Sequence, residues 1–443
     1  MGAFRSLRYR DYRLMWAGSV LSNTGTWMMW VALSWHVLQL TGSAFWVAAI
    51  NFANFFPMWL SPLGGVLADR FDRKKVLLVT QSVMMVDGLA LALLTQTGHA
   101  TLWPVLGLTL ILGFTFAADA PARHALFPSL VPRDAMVNAI ALNSAQFSMA
   151  RVIGPAIAGP TIALAGVAPV FWINGASFLA VLGALWLVRS PYRGAQPGRP
   201  RITLVDGIRY AWRHPVVRVM LIAITVYSLF GAPIQALLPV FADEVFGRGA
   251  RGFGVLAAAM GTGSVLGAFL LGRSSRVTPR VVGIGLAVAG ASLIAFAAVP
   301  SFPVAVPLVF AFGGAYLFTI SAANSQIQTS VDDAVRGRVV SLFMTVFGGI
   351  FPVGGLIGGA VADRVGAPIT TLVGASVVLL WGLGLAWRAW RTLAVAVDGA
   401  PPRALAALGA RGPRRPYAPP HGASSGDGGT PSAAIPSQAP REE

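Results

Sequence analysis

The chain has 443 residues, 55% of them hydrophobic and only 11% charged, with a mean hydropathy of +0.68. Soluble domains carry about 25% charged residues, so an ordinary water-facing surface is excluded for a chain of this length. Net charge is +17 and cysteine is absent, which removes disulfides, zinc–cysteine sites and thiol catalysis.

A helix needs about 20 apolar residues to cross a bilayer. Twelve such stretches are predicted, at 14–39, 45–68, 76–97, 102–120, 138–164, 169–189, 216–240, 252–272, 280–299, 304–325, 338–362 and 368–390. The connections are short except for a polar stretch near 190–215. From Pro401 to Glu443 the chain turns to Pro, Gly, Ser and Ala with no apolar period, which predicts a disordered tail. The expected fold is an all-α integral membrane protein of two six-helix bundles. The first covers residues 1–190 and the second 216–392, with a central linker over 191–215 and a tail over 393–443.

The basic residues sort by segment. With the N-terminus placed in the cytoplasm, 29 of the 33 fall on the cytoplasmic side. Arg248, Arg251 and Arg364 fall outside, and Arg151 lies within a span. This asymmetry is the positive-inside rule. It predicts both termini in the cytoplasm and an even number of spans. It also removes the nucleic-acid reading, because the charge is spread along one membrane face instead of forming a patch. Four arginines precede an apolar run too long for a cleavable leader, so the first span is expected to remain. The Ala, Gly, Pro and Arg bias points to a GC-rich bacterial genome.

An internal match at an offset of 200 residues sets Val131, Leu142, Phe147, Gly154, Ile157 and Gly159 against Val331, Leu342, Phe347, Gly354, Ile357 and Gly359. A second match sets Arg70 and Arg73 against Arg273 and Arg276. Parallel repeats with a site between them at mid-membrane are the plan of many secondary transporters.

After the second span comes Gly65-Val66-Leu67-Ala68-Asp69-Arg70-Phe71-Asp72-Arg73-Lys74-Lys75-Val76-Leu77. This resembles the signature loop of the major facilitator superfamily, with Asp72 where the pattern has glycine. The resemblance implies a conformational latch: Gly65 allows close helix approach, and Asp69 holds the start of span eleven in one state. Arg70 belongs to the same latch, and Arg73 is expected to pair with Asp119 at the inner end of span four. Span five carries Gly154-Pro155-Ala156-Ile157-Ala158-Gly159-Pro160. It is similar to the Gly-Pro motif that marks exporters of this superfamily, with Ala-Gly in place of the final Gly-Gly. Phe4–Arg8, Arg13–Gly18, Pro121–Arg123, Leu130–Pro132, Asn138-Ala139, Ala150–Pro155 and Arg336–Val339 resemble the enterobactin-exporter and macrolide-efflux subgroup. Gly359–Arg364 echoes the signature loop on the outer face.

Two ionisable residues fall near mid-span: Asp87 in span three and Arg151 in span five. Isolated charges there cost a few kcal/mol each on the insertion scale, so they are expected to face protein or water and to be able to pair. Asp87 is the candidate proton carrier and Arg151 its modulator or an anion contact; the alternative is a structural pair. In the family, spans one, four, seven and ten line the pathway. Asn23, Trp27, Trp30 and Ser34 share one face of span one, and Tyr227, Gln235, Tyr316 and Asn324 are candidates from spans seven and ten. Asn51 and Asn54 form a polar pair in span two. The same residues are open to a helix-packing reading. The five histidines show no metal-ligand spacing, and no metal is expected.

A P-loop needs glycine directly before its lysine. Both lysines follow other residues, Arg73 and Lys74, so this chain is not expected to hydrolyse ATP through one. No nucleophile–base or paired-carboxylate set lies in a span, so it is not read as an enzyme. The expected function is export of a drug, siderophore or other small metabolite across the inner membrane, driven by a proton gradient with no cofactor. An importer on the same fold is the alternative, and a non-transporting sensor or scaffold is the alternative of another class. The expected partners are the bilayer, a small organic substrate and protons, with no nucleic acid and no second subunit.

Overall fold

The protein is described by a computed structural model over residues 4–60, 72–188, 209, 211–274, 277–331 and 333–398. The described residues contain helices and no strand. In chain order they are α1 (Arg10–Thr41), α2 (Ala44–Phe55), α3 (Arg73–Gln96), α4 (Leu102–Ser129), α5 (Met136–Ala165) and α6 (Ala168–Leu187). There follow α7 (Pro215–Val245), α8 (Gly249–Gly272), α9 (Pro279–Ala298), α10 (Phe302–Ser330), α11 (Asp333–Val365) and α12 (Ala367–Asp398). Ten of these, α3 to α12, are long and apolar enough to cross a membrane. The expected twelve are not reached by that measure. Helix α1 has the length, but its tryptophans, serines, asparagine and threonines dilute its apolarity. The second segment is apolar over Ala44–Met58 and is described only to Leu60. The chain is thus a multi-pass helical membrane protein. Met1–Arg391 forms one compact unit.

Local chemistry sets the helix ends. Ser43 caps α2 by accepting from the Trp46 N–H, and Thr278 caps α9. Asp72 caps α3, accepting from the Lys74 and Lys75 N–H groups at 2.8 and 3.4 Å. That explains a carboxylate where the signature pattern carries glycine. Gly42 closes α1 in the left-handed conformation, φ 61°. Helix α4 runs well past the predicted 120 in spite of Pro121 and Pro128. Its extra turns are held by an Asp119–Arg123 pair one turn apart and by a buried cluster including Leu126, Phe127, Tyr12 and Met15.

Helix α7 is not uniform. It contains two π-helical turns, Tyr227–Gly231 and Phe241–Val245, with Pro233 and Pro239 between and beside them. Proline removes a ladder hydrogen bond, and π turns widen the helix, frequently at functional sites. Its repeat counterpart α1 is one unbroken helix of 32 residues.

Among α1–α6, α1 packs on α2, α5 and α6, and α3 on α4 and α6. Among α7–α12, α10 joins α8 and α9, and α11 lies on α7. The two groups meet mainly where α5 crosses α8 and α2 crosses α11. A shift of six helices turns one of these crossings into the other.

Candidate transport site

The repeated glycines make those crossings. A Cβ on Gly154 would meet the Cβ of Trp27, 2.5 Å away on α1. Its counterpart Gly354 lies against Ser228 and Leu229 of α7. Gly159 lies against α8: an added Cβ would stand 2.8 Å from the Gly254 Cα and 3.0 Å from the Ala250 oxygen. Gly359 makes the matching contact with α2, 2.7 Å from the Ala44 oxygen. Each glycine pair therefore docks one span on its own group and on the opposite group. The 200-residue match records this shared geometry.

The two ends of the bundle differ. At the end where α1 begins, several polar contacts among the described residues tie α1–α6 together. Ser6 donates its N–H to the Asn138 side-chain oxygen and its hydroxyl to the Ala135 carbonyl; Tyr12 donates to Ala139 and Trp16 to Leu142. Arg5 pairs with Asp134. Lys74 and Arg10 donate to the Val188 and Leu187 carbonyls at the end of α6, where cations are favoured. At the Thr41 end the two groups are joined. Asp363 of α11 accepts from the Ala44 and Phe45 N–H groups at 2.7 and 3.3 Å and from the Ser43 hydroxyl at 2.5 Å. Gln39 donates to Asp243 across the same end.

Midway between the ends lies an aromatic and polar cluster. The Arg151 guanidinium stands 5.6 Å from the Trp27 ring and 5.8 Å from the Tyr316 ring, within cation–π range. Tyr316 stacks on Tyr227 at 5.2 Å, and Tyr227 on Phe312 at 6.4 Å. The Tyr316 hydroxyl lies beside Gln235. Trp30 stacks on Phe55 at 5.1 Å; Phe55 meets Phe351, and Phe351 meets Phe347. Trp27 also meets Phe147. The cluster draws on α1, α2, α5, α7, α10 and α11, so both groups build it.

The match to the transmembrane secretion effectors, a branch of the major facilitator superfamily, covers residues 1–398. The chain belongs to this family. Among curated relatives, it is 24% identical to macrolide efflux protein A of Streptococcus pyogenes over 81% of this chain and 92% of that one. It is 27% identical to the multidrug efflux pump Tap of Mycobacterium tuberculosis, over 82% and 90% respectively. The staphyloferrin A transporter of Staphylococcus aureus is 25% identical over 83% and 94%. The fold matches that of a bacterial Spinster homologue in an inward-facing conformation, with TM-score 0.68, 17% identity, and 86% and 98% of the two chains covered. The chain is a membrane transporter of small molecules and not an enzyme.

On this transporter the expected site residues divide. Trp27, Trp30, Arg151, Tyr227, Gln235 and Tyr316 converge on the central cluster. Asn23 does not stand free: it donates to Gln146 at 3.0 Å and accepts from Arg123 at 3.4 Å. Asn51 donates to its own helix at Val47, Asn54 is buried against Gly113, and Asn324 accepts from Gln328 one turn on. Asn23 thus bonds between helices, Asn51 and Asn324 bond within their own, and Asn54 sits at the α2–α4 contact. Gly65, Asp69 and Arg70 lie outside the described residues. Asp119 pairs with Arg123 (2.8 Å) rather than with Arg73, and also accepts from Thr80 and Gln81 at 2.7 and 2.8 Å. An acid one helical turn before an arginine has a nearer partner than one on another helix. Asp87 and Arg151 do not pair; the ion pairs among described residues are Arg5–Asp134, Arg10–Asp11 and Arg123–Asp119. Asp87 is buried on α3, which packs on α4 and α6, and neither carboxyl oxygen has a hydrogen-bond partner. No group of metal-binding side chains occurs among the described residues.

Phe55, Phe147, Phe347 and Phe351 were not read as site residues from the sequence. The repeat held the signal: 147 and 151 share a face of α5, and the matched 347 and 351 share a face of α11.

Proposed function

We propose that this transporter exports an amphipathic organic molecule across the bacterial cytoplasmic membrane in exchange for protons. The observation that carries the direction is α5. Its Gly154-Pro155 step seats on α1 and its Gly159 on α8, so the exporter-type motif forms the crossing between the groups. Two of the relatives are efflux proteins by name. We take the chain as twelve spans in two halves, 1–190 and 216–392, with both termini cytoplasmic. The joined Thr41 end then faces outward, and an exporter loads from the other side. Rocking of the halves exchanges the two openings. A mixed aromatic and polar wall suits an amphipathic cargo.

Asp87 is the proton carrier in this proposal, as a buried carboxyl with no partner to hold it in one state. Inside-out vesicles test both parts with a labelled panel of macrolides, dyes and siderophores. An inward proton gradient should drive uptake of at least one of them. Asp87→Asn should cut that driven uptake at least tenfold while substrate counterflow persists. Uptake only in right-side-out vesicles overturns export, and unchanged gradient-driven uptake by Asp87→Asn overturns its role.

A further inference from the structure

Among the described residues, the central cluster is rich in donors and holds no acid. Arg151 lies in a span, where a bare charge is costly. None of the ion pairs among the described residues includes it. Two aromatic faces compensate it in part, Trp27 from α1 and Tyr316 from α10. Beside it, the Tyr227 hydroxyl is buried with no hydrogen-bond partner, and the Gln235 amide shares the Tyr316 hydroxyl with Arg151. Buried polar groups are rarely left unpaired, and each exception asks for an explanation. A cation, an unsatisfied hydroxyl and an amide donor around stacked rings suit the same thing: an anionic acceptor carried on a flat apolar body. The repeat sharpens this, because the position matched to Arg151 is Phe351. The charge is thus an addition in one half, not a requirement of the shared helix geometry.

We propose that Arg151, Tyr227 and Gln235 bind a carboxylate of the transported molecule, while Trp27 and Tyr316 cover its apolar part. This rests on the export reading for the word "transported"; the binding itself does not. The test is equilibrium dialysis of the purified full-length transporter with 2-naphthoate and with its neutral isostere 2-naphthamide. Naphthoate should bind at least tenfold tighter. Arg151→Gln should erase that preference, the two probes then binding alike, and Tyr227→Phe should weaken naphthoate severalfold. The melting temperature of each purified variant serves as the folding control. Equal binding of the two probes, a preference that survives Arg151→Gln, or no naphthoate binding at millimolar concentration overturns the proposal. Export without acid preference would sink this inference alone; acid preference without export would sink only the transport reading.

A separate observation carries a second inference. Asp363 caps the start of α2 from across the bundle, and Gly359 one turn earlier lets the helices approach. A carboxylate at a helix N-terminus is favoured by the unpaired N–H groups and the helix dipole. The matched position in the other half is Ala163, so this bond is made once. We infer that Asp363 is a catch that holds the Thr41 end shut. The chain has no cysteine, so a single one can be introduced by Phe45→Cys and its labelling by a membrane-impermeant maleimide followed. Adding Asp363→Ala should speed labelling at least fivefold, and Asp363→Asn less. Equal rates in all three backgrounds would overturn the catch.

Discussion

Gly254→Leu will reduce transport at least tenfold while the protein still reaches the membrane in normal amounts. A side chain at this position meets backbone and not a yielding side chain: the Gly159 Cα at 2.7 Å and the Pro155 oxygen at 2.9 Å. Overpacking of this kind costs about 1–3 kcal/mol, and here the cost falls on a contact between the two helix groups. Helices within each group keep their own packing, so insertion should survive. Gly183→Leu is the control, because a Cβ there meets nothing within 4 Å, and it should behave as wild type. Vesicle transport and membrane immunoblots on both variants decide the matter. Full activity of Gly254→Leu would show that the α5–α8 crossing is not needed for the cycle.

Asp119→Ala will be the most destabilising single change near the α1 start of the bundle. The carboxylate is fully buried and accepts from Arg123, Thr80 and Gln81. Its loss strands a mostly buried guanidinium and a buried amide. Breaking a buried ion pair from one side costs about 3–5 kcal/mol. The loss should appear as a marked fall in the melting temperature of the purified protein. Asp119→Ala with Arg123→Met should recover most of it, since a buried pair replaced by apolar groups is often neutral. A double variant no more stable than Asp119→Ala would mean that Thr80 and Gln81 carry the effect.

Much of the fold is legible from composition, because a bilayer demands long apolar helices and penalises charge. The helix limits follow the apolar runs except where something local overrides them. Helix α4 continues through two prolines on the strength of a salt bridge and a buried cluster that no hydropathy window records. Helix α1 shows the opposite failure: its polar face is a helix-to-helix surface, so apolarity alone undervalues it. Within the site, Arg151 is legible because a charge at mid-span is rare, and Trp27 and Tyr316 because they fall on spans that the resemblance assigns to the pathway. The Gln146 partner of Asn23 is not legible, since an amide on a helix stripe looks the same whatever it meets. The partner of Asp119 is set by a four-residue spacing inside α4. The partners of Asp363 are backbone N–H groups, which every residue but proline has, so no sequence pattern points to them.

The unequal build of α1 and α7 has a mechanical consequence. The central cluster is walled on one side by an unbroken rod and on the other by a helix with two π turns and two prolines, and Tyr227 opens the first of those turns. Compliance is therefore one-sided. In the proposed site, Trp27 and Trp30 stand on the fixed wall, while Tyr227 and Gln235 ride on a jointed arm. Cargoes of different girth would be accommodated by flexing that arm, and stiffening it should narrow the range of molecules carried before it slows any one of them.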